Sequence, residues 1–526
     1  MSGATTENPP PLRVTRLLGL ATEVLSARDA LATARDALLA APVHSPALTA
    51  LAEAIDGEAR GLDEFLAGVY RLVELAEDSW DDLDGPQPLP EPERGLLLRS
   101  LDRAVDNAFV DLGRLTGTRP AGARTIDAAG LDTRATVASW ARAEPDAVYS
   151  TVEHLSTADR RLLALAEPVA VGSTYGVPWA VRARANAVSV RRALHREQVA
   201  GTPWSPRIGR LETMARRSGR RRRAFVGFSA RRGGRMIEVV GEPGPATEAI
   251  AVYVPGTGTN LDMSHVNTDV VDDFVDAAAG RLVAVAYLDG EFPQDIMADA
   301  GRPNFAEEMA PRLVRFCREV ERVVEIDCPG ATVTVLGHSY GGRIVGTAER
   351  MGLRADRVVY AASPDLGVGV NGPEDWHSPG AVRRYSITAP ADPVELLQAR
   401  FALRRRWMSR NLPDGVVRLD AGFFDDDEPV YGTRGHGGLF DRDCGAFRAM
   451  LAVMLGGRAP LWRDREIHAR HTRVRRGEHG RLLPMIRRHA IGLWLRRDDA
   501  PYGEPSVVWA APEQVIDIPA ARTVRR

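Results

Sequence analysis

Beyond Phe225 the hydrophobic pattern of the chain changes from the period of helices to short β-branched runs that alternate with helical segments. Eight strand patterns lie at 224–230, 235–240, 250–254, 282–288, 332–336, 357–362, 384–387 and 416–419. The first two predict an antiparallel hairpin. The others are separated by helical patterns or loops, including an amphipathic pattern at 305–324, and predict a mostly parallel, doubly wound sheet. Active sites of such sheets lie at the carboxyl ends of the strands, so functional residues are expected there.

The fifth strand pattern runs directly into the sequence Gly-His-Ser-Tyr-Gly, residues 337–341, and a helical pattern follows at 343–353. A G-x-S-x-G motif between a strand and a helix is typical of a sharp turn that lifts a serine hydroxyl above the sheet. Glycines on either side of the serine let the chain pass. This context predicts Ser339 as a nucleophile, and a plain glycine-rich turn is the alternative in a chain with 49 Gly.

The loop after the third strand pattern reads Pro-Gly-Thr-Gly-Thr-Asn, residues 255–260. Glycine in such a loop lets the backbone approach a substrate carbonyl and donate a hydrogen bond to the developing oxyanion. We predict the Thr257 N–H as one donor and the N–H of Tyr340, the residue after the serine, as the other. A phosphate-cradling loop is disfavoured because the G-K-[ST] ending is absent from these residues.

Three residues supply candidates for the remaining members of a catalytic triad. Asp392 follows the strand pattern at 384–387 and is the predicted acid, with Asp365, after the preceding strand, in reserve. His436 lies in Gly-His-Gly-Gly, residues 435–438, which predicts a glycine-rich loop ahead of a helix at 446–455. The chain order of Ser339, Asp392 and His436 is that of the serine, acid and histidine in α/β-hydrolases.

Composition excludes several other kinds of chemistry. The chain contains no lysine, so it has no Walker A lysine, Schiff-base lysine or Ser-Lys dyad. Its net charge is −2, which gives no overall field to attract nucleic acid. Its 3 cysteines are too few for a disulfide framework and are interpreted as buried or incidental thiols. We expect neither a cofactor nor a metal ion.

The front of the chain has helical periodicity at 17–38, 48–76, 93–115 and 147–165. The predicted domains are a helical hairpin or bundle at 1–160, an α/β domain at 161–460 and an arginine-rich extension of unassigned role at 461–526. The helices offer a possible surface for a protein partner. The chain has neither a signal-peptide pattern nor an apolar run long enough to span a bilayer. We therefore expect a cytoplasmic protein, with export that needs no N-terminal signal as the open alternative.

Together these motifs resemble an uncharacterised α/β-hydrolase family found mainly in actinobacteria. The resemblance rests on Val-Pro-Gly-Thr-Gly-Thr at 254–259, Gly-His-Ser-Tyr-Gly at 337–341 and Asp-Pro at 392–393. It extends to the segment 167–178 with Arg182 and Asn186 after it, and covers about residues 162–455. The resemblance implies an α/β-hydrolase fold and serine hydrolysis, with no established substrate.

The sequence therefore predicts a serine hydrolase in which Ser339 attacks an acyl carbonyl, His436 takes its proton and Asp392 holds the imidazole. Carboxylic esters or lipid acyl groups are the expected substrates. Two alternatives stay open at this point. One is an acyltransferase on the same triad, and the other is a helical interaction or scaffold protein with a degenerate hydrolase domain.

Overall fold

The computed structural model describes residues 133–520 apart from 141–142, 157–158, 161–162, 165–166, 200–204, 216–222, 296–298, 300, 395–414, 426, 464, 469–505 and 510–512. The helices predicted within 17–115 and most of the extension at 461–526 lie outside the described residues. The predicted domain boundaries stay predictions.

Eight strands form the central sheet. They are β1 (Arg223–Ser229), β2 (Arg235–Val240), β3 (Ala249–Val254), β4 (Leu282–Leu288), β5 (Thr332–His338), β6 (Arg357–Ala361), β7 (Arg383–Ile387) and β8 (Val416–Leu419). Their order is β1-β2-β4-β3-β5-β6-β7-β8, and all pairs from β4 to β8 are parallel. Each predicted strand is present to within two residues at either end. The predicted fold class, a mostly parallel sheet with an antiparallel start, is confirmed.

Ten α-helices lie within the described residues. They are α1 (Thr133–Trp140), α2 (Pro145–His154), α3 (Pro168–Ser173), α4 (Trp179–Val199), α5 (Pro206–Ala215), α6 (Ser264–Ala277), α7 (Asn304–Asp327), α8 (Tyr340–Arg350), α9 (Gly432–Gly438) and α10 (Gly445–Leu455). The amphipathic pattern predicted at 305–324 forms α7, whose Met309, Leu313 and Phe316 are buried. None of the helices in this part of the chain has the length and apolarity needed to cross a membrane.

The described residues before 219 form one compact unit with residues 223–236, and the residues from Ile237 onward form another. The first unit contains the segment 167–178, and Asn186 packs against it. Asn186 on α4 donates from Nδ2 to the carbonyl oxygens of Gly172, 3.1 Å, and Phe225, 2.8 Å. A side chain at Gly172 would overlap the Asn186 carboxamide. This buried amide therefore ties α3, α4 and β1 together.

The helix predicted at 147–165 is confirmed as far as His154, but its continuation without a break is wrong. Helix α2 ends at His154, and Leu155 is extended with ψ 147°. Ser156 then accepts a hydrogen bond on Oγ from the Asp159 N–H, 3.1 Å away, which is the geometry of an N-cap. A serine side chain that satisfies the next backbone donor favours a new helical turn over continuation of the old one.

Part of the C-terminal extension is attached to the α/β unit. Strand β9 (Gly457–Pro460) pairs antiparallel with β12 (Val515–Ile518), and β10 (Arg465–His468) pairs with β11 (Ser506–Trp509). Arg357 on β6 is buried and donates to the carbonyl oxygens of Val453, Met454 and Pro519. Those bonds join the sheet, the end of α10 and the residue after β12.

Candidate active site

Ser339 occupies the turn between β5 and α8, with φ 52° and ψ −124°. A positive φ is strained for a residue with a side chain and persists only where the surroundings enforce it. Here the Ser339 N–H donates to the Ala361 carbonyl, 2.9 Å, and the Ser339 carbonyl accepts from the Gly342 N–H, 3.0 Å. The serine is half-buried at the carboxyl end of β5.

Four glycines allow this turn to pack tightly. A β-carbon on Gly337 would lie 2.6 Å from the Gly341 carbonyl oxygen, and one on Gly256 would lie 2.7 Å from the Ser339 β-carbon. A β-carbon on Gly341 would overlap the Val254 carbonyl, and one on Gly342 would overlap the Ser363 side chain. The glycines of the motif are therefore required by close approach of β3, β5 and the segment after β6.

The loop after β3 lies beside the serine because β3 and β5 are parallel neighbours that pair Val254 with Gly337. Two contacts from the segment after β4 fix this loop. The Gly258 N–H donates to the Pro293 carbonyl, 2.7 Å, and Gln294 Nε2 donates to the Thr259 carbonyl, 2.8 Å. Thr257 stands between Gly256, which packs on Ser339, and these anchored residues. The sequence did not indicate the role of Pro293 and Gln294, because no motif marks them.

The position of Tyr340 in the chain allows its backbone N–H to donate a hydrogen bond to an anion. Tyr340 is the first residue of α8, and the N–H groups of a first helical turn have no partner within the helix. The Tyr340 hydroxyl donates to the Arg302 carbonyl, and its ring packs edge-on against Phe305. These contacts hold Tyr340 in place, with its N–H at the positive end of the helix dipole.

Asp392 and His436 are in direct contact. The His436 Nδ1 atom lies 3.0 Å from Asp392 Oδ1 and 2.9 Å from Oδ2. The carboxylate is 0% exposed and the imidazole 31% exposed, so the acid is shielded from water while the base can be reached. Ala391, directly before Asp392, has a φ of 57°, which is uncommon for a residue with a side chain. A carboxylate at Nδ1 selects the tautomer with its proton there, which leaves Nε2 free to accept a proton.

His436 lies in a helix, not in the predicted glycine-rich loop. It is in α9, where four of the seven residues are glycine. Contacts with the loop that carries Asp392, residues 388–394 and called the acid loop below, override the low helix propensity of these glycines. The Gly432 N–H donates to the Pro390 carbonyl, 2.9 Å, and Gly435 packs on Ala389, where an added β-carbon would lie 2.5 Å from the Ala389 β-carbon. The helix therefore carries His436 against the loop that carries Asp392.

The reserve acid, Asp365, has other partners. Its Oδ2 atom lies 3.3 Å from Nε of the buried Arg343, and its Oδ1 accepts from the Gly367 N–H, 3.0 Å. Asp365 thus links the segment after β6 to helix α8. Of the two candidate acids, Asp392 is the one in contact with the histidine.

The three cysteines are buried free thiols, as interpreted from the sequence. Burial raises the pKa of Cys328 and of Cys444 to about 11. At neutral pH these thiols stay protonated and unreactive.

Comparison with known proteins agrees with this architecture. A family model described as alpha/beta hydrolase matches residues 230–403. Similar solved structures include dienelactone hydrolase from Anabaena variabilis, with 18% identity over 44% of this chain and 94% of that chain and a TM-score of 0.27. Carboxyl esterase 2 from the mycorrhizal fungus Tuber melanosporum has 10% identity over 45% of this chain and 86% of that chain, with a TM-score of 0.28. No curated protein matches this chain.

The family match over residues 230–403 and the strand order show an α/β-hydrolase fold, and the match supports a hydrolase. In this fold, a serine on a strand–turn–helix elbow is the arrangement found in esterases and lipases, among other hydrolases.

Two glycines of α9 provide a matched test of how closely His436 must be held. In Gly435→Ala the new methyl meets Ala389 and pushes α9 from the acid loop. We expect kcat to fall about 10- to 100-fold, since a displacement near 1 Å can cost that much. In Gly437→Ala the methyl meets nothing within 4 Å, so kcat stays unchanged and stability rises by up to about 1 kcal/mol. Steady-state kinetics and thermal melts measure both, and equal kcat values would contradict the expectation.

Proposed function

We propose that this chain is a serine hydrolase that cleaves carboxylic esters or lipid acyl groups with Ser339, His436 and Asp392. The observation that carries the proposal is the contact of the buried Asp392 carboxylate with His436 Nδ1 at 2.9 Å. It is supported by the position of Ser339 at the end of β5, on an elbow whose glycines are required by packing.

In the proposed reaction, His436 Nε2 takes the Ser339 hydroxyl proton as Oγ attacks the acyl carbonyl. The Thr257 and Tyr340 N–H groups stabilise the oxyanion of the tetrahedral intermediate. Collapse of the intermediate breaks the bond to the leaving alcohol, which receives the proton from His436. Water, deprotonated by His436, then attacks the acyl-enzyme and releases the carboxylic acid and free Ser339. Asp392 keeps the proton of the neutral ring on Nδ1 and stabilises the imidazolium that forms.

The substrate class is inferred from the kind of chemistry this elbow supports. Ester cleavage needs a nucleophile, a base that can return one proton and two donors for the oxyanion, and the proposed residues provide each of these. Esterases and lipases are among the enzymes in which this combination occurs on a strand–turn–helix elbow.

The test is active-site labelling combined with turnover. Wild-type protein and Ser339→Ala are treated with a fluorophosphonate probe, and hydrolysis of p-nitrophenyl esters from acetate to palmitate is measured. We expect the probe to label wild type at Ser339, not to label the variant, and hydrolysis of at least one ester by wild type. A folded wild-type protein that is neither labelled nor active would overturn the proposal in favour of a scaffold. Ester consumption that depends on an added alcohol acceptor would instead identify an acyltransferase.

A further inference from the structure

We infer that His338, the residue before the proposed nucleophile, is a positioning residue that holds the backbone of His436 and so sets the distance between base and nucleophile. The inference rests on the proposed function, because it assigns roles to Ser339 and His436. It concerns a contact between residues 98 apart in the sequence, which no motif reveals.

The contact joins the last residue of β5 to the middle of α9. His338 Nε2 lies 3.1 Å from the His436 carbonyl oxygen. A carbonyl oxygen can only accept, so the ring must donate and its proton is on Nε2. The two imidazoles lie with their centroids 5.0 Å apart and their planes at 44°. Because His338 and Ser339 are consecutive, this one bond connects the strand end that carries the nucleophile to the residue that carries the base.

The ring of His338 is held firmly enough to act as an anchor. Phe440, just beyond α9, meets it edge-on with centroids 4.9 Å apart, and Tyr253 on β3 lies 5.3 Å from Phe440. Tyr253 and Phe440 are both buried. His338 thus lies between His436 on one side and an aromatic pair on the other, and rotation of its ring would break both contacts.

His338 also stays neutral throughout the proposed reaction. Burial, and to a smaller extent the neighbouring His436, lower the pKa of His338 to about 3. When His436 becomes an imidazolium, its neighbour 5.0 Å away therefore adds no repulsion.

The base is then fixed from two independent sides. Asp392 binds Nδ1 of the ring, and His338 binds the carbonyl of the same residue. The Gly432 N–H bond to Pro390 fixes the start of α9, and the His338 bond fixes the backbone of His436 itself. Loss of the His338 bond should let Nε2 of His436 move relative to Ser339 while the His436–Asp392 contact persists.

Three substitutions separate this role from packing. His338→Phe keeps an aromatic ring and removes the donor. His338→Gln places an amide N–H at the same distance along the side chain as Nε2, and His338→Asn places it one atom short. We expect kcat to fall about 10- to 100-fold in the Phe and Asn variants, with KM unchanged. The Gln variant should recover kcat to within about fivefold of wild type, because its donor reaches the His436 carbonyl.

Kinetics on the best p-nitrophenyl ester and thermal melts are measured for all variants. Equal kcat in Gln and Asn variants, or wild-type kcat in the Phe variant, would overturn the positioning role. A loss of kcat that tracks the loss of melting temperature across the three would also overturn it, since packing alone would then explain the data. If the Phe variant does not fold, the Gln and Asn pair decides. A folded wild type without activity or labelling refutes both the proposed function and this inference. If the wild type is active, the His338 variants test the positioning role alone.

Discussion

Ser339→Ala is expected to lower kcat for ester hydrolysis about 10⁴- to 10⁶-fold, the range found when a triad nucleophile is removed. The loss is this large because no acyl-enzyme can form without the Ser339 hydroxyl. Only direct attack by water remains, assisted by substrate binding and the oxyanion donors. Stability should change little, since Ser339 is half-buried at the elbow and its backbone bonds to Ala361 and Gly342 do not involve the hydroxyl. Steady-state kinetics and a thermal melt measure both effects.

Ser363→Ala is the matched control for that substitution. Ser363 lies after β6, packs against Gly342 and donates from Oγ to the Asp365 carbonyl, 2.6 Å. Its loss removes a buried hydroxyl near the elbow, at about 1 kcal/mol of stability, and leaves the proposed nucleophile in place. Turnover should stay within about threefold of wild type. Wild-type turnover by Ser339→Ala on every ester would refute Ser339 as nucleophile.

The strands of this fold could be predicted because their signal is local. Strands β3 to β6 are buried along nearly their whole length, so their sequences are mostly apolar and β-branched. The elbow could be predicted for the same reason, since Gly337, Ser339 and Gly341 are neighbours in sequence. Residues whose role depends on their neighbours in the sequence can therefore be recognised without a structure.

The parts that could not be predicted depend on contacts between distant segments. The glycines of α9 predict a loop. The segment is helical instead, with Gly435 packed on Ala389 and the Gly432 N–H bonded to Pro390 of the acid loop. The bond between His338 and His436 and the support of the Thr259 carbonyl by Gln294 join segments that carry no shared pattern. Asp365 and Asp392 both follow strands, and only their surroundings distinguish them.

Asp392→Asn should have the second-largest effect, a fall in kcat on the order of 10⁴-fold. Both carboxylate oxygens lie within hydrogen-bond distance of His436 Nδ1, at 3.0 and 2.9 Å, and the group is 0% exposed, so water cannot substitute for it. An amide that presents its NH₂ to Nδ1 favours the other tautomer, with the proton on Nε2. The ring then faces Ser339 with a donor and cannot accept the hydroxyl proton.

Asp365→Asn tests the specificity of that effect. It weakens the pair with Arg343, 3.3 Å away, and is expected to cost about 1–3 kcal/mol of stability while kcat stays within about tenfold of wild type. Kinetics at saturating ester and thermal melts of both variants give the comparison. If both substitutions cause equal, mild losses of kcat, the histidine does not depend on Asp392 and the reaction uses a serine–histidine dyad. A large loss of kcat in Asp365→Asn, together with an active Asp392→Asn, would identify Asp365, after β6, as the acid of the triad.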